Sequence, residues 1–291
     1  MMKRNFEIVT DSACDMPAEY YAEHGVECVK LGFTMNNVNY EGESGEKITP
    51  QEFYQQLVGG AMPTTYQVTS EQAKDHIEPF LKAGRDVLVI AFSGGLSGTA
   101  GSFAVAAREL SESYPDRQIK VVDSLCASMG EGLLLDYVIK KADTGASLEE
   151  SAKYAEDLKL HIRHFFTVDN LFHLKRGGRV STTTAIIGSV LKIKPVMHVD
   201  NNGKLVAIGK CIGRKKALRA VVEKLLDGRD EGEDNPIFIS HGDCIEEVEY
   251  VKELIRAQLP DVEIVVNYVG AVIGTHSGQG TMALFNKGDK R

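Results

Sequence analysis

Three hydroxyls and three glycines fall within seven residues at Ser93-Gly94-Gly95-Leu96-Ser97-Gly98-Thr99. The run Val87–Phe92 before them is short, apolar and rich in β-branched residues, as in a strand buried on both faces, and a helical pattern begins at Ala100. The loop is therefore expected at the carboxyl end of a strand and at a helix N-terminus. Unpaired N–H groups and the helix dipole favour an anion there, and glycine lets backbone approach a ligand. The plain alternative is a tight strand-to-helix turn that uses Ser and Gly for its geometry. A second chemistry is acyl hydrolysis or transfer, with Ser93 as nucleophile, His276 as base and Asp11 or Asp123 as orienter. Against it, Ala91-Phe92-Ser93-Gly94-Gly95 lacks the first glycine of a G-x-S-x-G elbow. A nucleotide-phosphate loop is a third reading, but the G-x-x-x-x-G-K-[ST] lysine is missing.

Arg176 and Arg179 flank Gly177-Gly178. Glycine at this spacing suggests a sharp exposed turn that presents both guanidinium groups outward, either as an ordinary basic turn or as a docking surface. His276 reads on its own as a satisfied histidine at a domain interface.

The elements that must position these groups alternate. Phe6–Thr10, Val26–Phe33, Val87–Phe92 and Ile119–Asp123 read as strands, with helical patterns between them. Thr49-Pro50-Gln51-Glu52 and Ser147…Glu150 form capping boxes, and Ser70 or Thr69 caps a helix that runs to about Leu81. This alternation predicts an α/β fold whose N-terminal domain (residues 1–163) is a mostly parallel sheet with helices on both faces. Its ligand rim lies outside the carboxyl ends of the strands. Residues 164–291 read as an α+β domain with a mixed sheet. There Ile193–Val199 and Leu205–Gly209 are joined by Asp200-Asn201-Asn202-Gly203, a hairpin signal, and a helix is expected over 183–191.

The chain has 291 residues and a net charge of −8, with no long basic tract, which argues against nucleic acid as the main partner. No apolar run approaches the roughly 20 residues of a membrane helix, and no signal peptide is evident at the N-terminus. Five scattered cysteines without a C-x-x-C pair read as reduced thiols of a cytoplasmic protein, with no structural zinc.

Seven motifs in order make the chain resemble the DegV family. They are Thr10-Asp11-Ser12, Pro63-Thr64-Thr65-Tyr66-Gln67, Ser93–Thr99, Asp123-Ser124, Leu174–Arg179, Lys194-Pro195 and Gly274-Thr275-His276-Ser277-Gly278. The resemblance implies a two-domain α/β protein that holds one long-chain fatty acid in a tunnel between its domains. It would be the non-enzymatic lipid-binding subunit of a bacterial fatty acid kinase in phospholipid metabolism, without cofactor or metal, with transient membrane-surface contact. On this reading Ser93 and the Gly94 backbone hold the carboxylate, Thr65 is a second donor, His276 completes the network, and Arg176 and Arg179 meet the kinase. The chain departs from the family pattern at Gly94 and at Gln279, where serine and proline are usual. It departs again at Tyr66-Gln67-Val68, where Ser-Gln-Pro is common.

Overall fold

A computed structural model describes residues 4–41, 47–169, 171–180, 192–232 and 234–291. The first part runs β1 (Phe6–Asp11), α1 (Ala18–His24), β2 (Val26–Val29), β3 (Gly32–Met35), β4 (Val38–Glu41), α2 (Pro50–Val58), β5 (Thr64–Tyr66), α3 (Ser70–Lys82), β6 (Asp86–Ala91), α4 (Thr99–Ser113), β7 (Ile119–Asp123), α5 (Met129–Asp143) and α6 (Leu148–Leu158). The second part runs β8 (Ile162–Thr167), α7 (Phe172–Arg176), β9 (Ile193–Val199), β10 (Leu205–Ile212), α8 (Arg214–Leu226), β11 (Ile237–His241), α9 (Ile245–Arg256), β12 (Ile264–Tyr268), α10 (Ala271–Ser277) and β13 (Met282–Lys287).

Period-two alternation builds the first layer. In β6, Val87, Val89 and Ala91 pack with α3 and α4 on one face of the sheet. Leu88 and Ile90 pack with α5 on the other. The four strands are parallel in the order β2-β1-β6-β7, so both faces are covered, as expected. The second sheet is mixed, in the order β10-β9-β8-β13-β11-β12. One of its faces packs on α8 and α9. The other presents Phe166, Phe238 and Phe285 to α5, within the same core that covers the first sheet. Helix α5 thus serves both sheets.

The local signals hold at several ends. Thr49, Thr69 and Ser147 each cap their helix with a complete capping box, and β9 and β10 pair as the predicted hairpin. Elsewhere the structure differs. The single apolar run expected over Val26–Phe33 breaks at Lys30-Leu31. The Leu31 N–H bonds the Ser12 hydroxyl at 2.9 Å, and β3 continues into a separate antiparallel sheet, β4-β3-β5. The helix capped by Ser147 stops at Leu158, and Ile162–Thr167 is a fully buried strand. A division after residue 163 would therefore cut β8. Strand β13, unexpected from the sequence, lies between β8 and β11. The helix expected over 183–191 falls outside the described residues.

Because one helix fills the space between two sheets, the chain should unfold as one unit. Leu134→Ala, at a fully buried position of α5, should cost about 2–5 kcal/mol and shift a single urea transition. Two separated transitions, with only one moved, would contradict the shared core.

Candidate functional site

The loop after β6 was expected to offer N–H groups to an anion, and its hydrogen bonds show where they go. Ser93 N–H donates to Cys126 O, Gly94 N–H to Asp123 Oδ1, and Gly95 N–H to Ser93 Oγ. Leu96 and Ser97 N–H donate to Ser93 O, Gly98 N–H to Gln67 Oε1, and Thr99 N–H to Ser97 Oγ. Every backbone donor from Ser93 to Thr99 is spent within the chain, so the loop is not a preformed anion cradle. Ser93 itself is fully buried, and its hydroxyl donates to Gly203 O at 2.9 Å.

That bond clasps the β9–β10 turn to the loop. A Cβ on Gly203 would lie 2.0 Å from Ser93 Oγ, and its φ of +69° is in the left-handed region, so glycine is required twice over. In this structure the Ser93 hydroxyl and the Gly94 N–H, expected to hold a carboxylate, are engaged within the chain. Gly94 also leaves room for its partner, since a Cβ there would stand 2.4 Å from Asp123 Oδ2. Hydrolysis by Ser93 loses its geometry as well, because its hydroxyl faces the turn while His276 bonds Thr65. The proposed orienters are engaged elsewhere: Asp11 accepts the Phe92 and Ala13 N–H groups, and Asp123 those of Gly94 and Leu125.

Thr65, His276 and Arg179 meet at a cavity of about 310 Å³ between the two sheets. Its apolar lining includes Phe92, Phe166, Leu174, Val199, Ile273 and Phe285. Strand β5 and helix α10 bring Thr65 and His276 to its wall, with Thr65 Oγ1 2.7 Å from His276 Nε2. The His276 ring lies so close to Gly177 that a Cβ there would meet Nδ1 at 2.1 Å, which explains that glycine. Tyr66 lines the same cavity. Its ring fills the space beside Gly32, where a Cβ would come within 2.2 Å of Cε2.

The two arginines do not point outward. Both are half-buried. Arg176 donates to Pro63 O and Thr275 O at 3.2 Å each and ties the segment before β5 to helix α10. Arg179 donates to Leu96 O and Gly177 O and lines the cavity. Among the described residues, neither has a carboxylate partner. The Gly177-Gly178 turn signalled a bend but not its direction, so sequence reasoning missed Arg179 as a cavity residue.

It also missed Ser128 and Ser240, which line the cavity on the far side of α5's N-terminus. Ser128 Oγ bonds Asp15 and lies 2.8 Å from Ser240 Oγ. Burial pushes the Asp15 carboxyl up to about 7. His164, also in the wall, is satisfied at both nitrogens by Ala127 N–H and Ile162 O, and burial holds its pKa well below the usual value.

The chain matches over residues 5–287 the model of a family described as "Uncharacterised protein, DegV family". A DegV domain-containing protein of Clostridium perfringens is 40% identical over 288 residues, 99% of each chain. A fatty-acid-binding DegV family protein from Thermus thermophilus superposes with a TM-score of 0.87 at 31% identity, covering 98% of this chain and 100% of that one. The Bacillus subtilis fatty-acid-binding protein DegV gives 0.85 at 31% identity, with 99% and 100% coverage. A stearic-acid-binding protein from Eubacterium ventriosum gives 0.88 at 27% identity, with 97% and 98% coverage.

Burial, then the charges of Arg179 and Arg176, hold His276 down at about 4. The unfolded chain protonates this ring near 6.5. The neutral ring's contribution to stability is therefore complete above pH 6.5 and lost as pH falls through 4. An NMR titration of the His276 ring should find its midpoint near 4, moving upward in Arg179→Ala. A midpoint near 6.5 in both proteins would place the ring in solvent.

Proposed function

Because the chain belongs to the DegV family, we propose that it binds a long-chain fatty acid in the cavity between its two sheets. The observation that carries this reading is a half-buried guanidinium, Arg179, without a carboxylate partner among the described residues. It stands beside a hydroxyl–imidazole pair in an otherwise largely apolar cavity. A fatty acid supplies what that arrangement lacks. Its carboxylate neutralises the cation, and its tail leaves water at roughly 0.8 kcal/mol per methylene, on the order of 10 kcal/mol for sixteen carbons before ordering costs.

The carboxylate sits between Thr65 and Arg179. With the proton on His276 Nε2, the ring donates to Thr65 Oγ1 and frees the threonine hydroxyl to donate to the ligand. Two of the Arg179 nitrogens already serve carbonyls. That disfavours a bidentate grip and leaves one carboxylate oxygen open to reaction. The chain then acts as a carrier: a separate kinase transfers the terminal phosphoryl group of ATP to that oxygen and releases ADP. Met62 and Phe172, both more than half exposed, flank Arg176 and suit a docking surface for that partner.

Fluorescent displacement of hexadecanoic acid tests the assignment. Thr65→Val and Arg179→Ala should each weaken binding by about 1–3 kcal/mol, the cost of a missing donor to a buried charge. Ser93→Ala should keep its affinity within a few-fold while lowering the melting temperature, because its hydroxyl holds the β9–β10 turn. The reverse pattern would return the carboxylate to the loop.

A further inference from the structure

Helix α10 forms one wall of the cavity through Val272, Ile273, His276 and Ser277. Its last turn carries His276. Its N-cap, Gly270, donates a backbone hydrogen bond to Asp15, the same carboxylate that holds Ser128. The points at which helix α10 meets the two polar stations are thus one helix length apart. Six residues at 1.5 Å each make roughly 9 Å. An extended hydrocarbon chain, with bonds of about 1.5 Å at tetrahedral angles, advances roughly 1.25 Å per carbon and covers that distance in about seven carbons.

Ser128 and Ser240 are 4% and 0% exposed. Buried hydroxyls in an apolar wall are costly unless paired. The Ser128 hydroxyl is in donor geometry to both Asp15 Oδ2 and Ser240 Oγ, so Ser240 receives it with one lone pair and keeps the other. The Ser240 oxygen is left as an acceptor beside the cavity. Of the other polar groups in this wall, His164 is engaged at both nitrogens and the Thr281 hydroxyl donates to Gly278 O, while the buried Ser277 hydroxyl belongs to the His276 end of helix α10. Ser128 also has φ 53° and ψ −146°, a conformation that suits glycine. Glycine would relieve that strain, so serine there must be supported by what its side chain does.

We propose that Ser128 and Ser240, held by Asp15, form a second polar subsite that takes the hydroxyl of a long-chain fatty acid hydroxylated near mid-chain, between about the eighth and twelfth carbons. The ligand hydroxyl donates to Ser240 Oγ while its carboxylate occupies the Thr65–Arg179 end. This selectivity rests on the fatty-acid reading above.

Affinities of the wild-type chain for octadecanoic, 2-hydroxyoctadecanoic and 10-hydroxyoctadecanoic acid, measured by calorimetry after delipidation, test it. The 10-hydroxy acid should bind at least fivefold tighter than octadecanoic acid, and the 2-hydroxy acid should show no such gain. In Ser240→Ala the preference should fall to parity or reverse, with octadecanoic acid bound as well as before. Octadecanoic acid binding as tightly as the 10-hydroxy acid in the wild type would overturn the subsite alone, leaving the serine pair to hold only water. Failure of all three acids to bind would overturn the fatty-acid reading with it. The wild-type comparison decides the matter even if the variant does not fold.

Discussion

Helix α5 has no face left for water. From Met129 to Ile139 every residue is buried, with one sheet on one side and the second sheet on the other. A helix in that position must arrive with its polar groups already paired. Glu131 accepts the Thr10 hydroxyl, and burial raises its carboxyl pKa well above the ordinary range. Asp136 takes the Tyr20 hydroxyl and the Lys140 ammonium. The Tyr137 hydroxyl reaches Asp234 O across the junction between the two parts. Once α5 is placed, its N-terminus delivers Ser128 to the cavity, and the sheets it separates supply the apolar walls.

The cavity follows from the gap that this helix leaves. Where the sheets diverge beyond its N-terminus, aromatic and aliphatic side chains from both parts face one another without filling the space. The polar groups there are not scattered. One set gathers around His276 and Arg179, the other around Asp15 and Ser128. Positive charge without a carboxylate partner stands at the first of these among the described residues, and it adds to the burial that keeps the neighbouring imidazole neutral. An anion is therefore favoured at one end of the cavity and an uncharged acceptor or donor at the other.

Much of the frame was legible in the sequence because its signals are local. Capping boxes at Thr49, Thr69 and Ser147, and the Asn202-Gly203 turn, depend on residues within a few positions of one another. The parallel sheet followed from the alternation of strand and helix patterns between Phe6 and Asp123. What was not legible depends on partners distant in the chain. Ser93 has the residue type and setting of an anion contact, yet its hydroxyl is claimed by Gly203, 110 residues away. Arg179 stands after a glycine pair that suits an exposed turn, and the Leu96 carbonyl, 83 residues away, is among the groups that hold it inward. Strand β13 carried a signal, the apolar run Met282–Phe285, that was hidden behind the preceding glycine motif. Of the expected carboxylate residues, Thr65 and His276 do meet at the cavity.

The central claim is that a carboxylate belongs at the Thr65–Arg179 end of the cavity rather than at the Ser93 loop. A crystal structure with hexadecanoic acid bound tests it most directly. The account predicts carboxylate density within about 3 Å of Thr65 Oγ1 and of an Arg179 nitrogen, with the Ser93–Gly203 bond intact. Density for the carboxylate on the Ser93 hydroxyl and the Gly94 N–H, with the β9–β10 turn released, would contradict it.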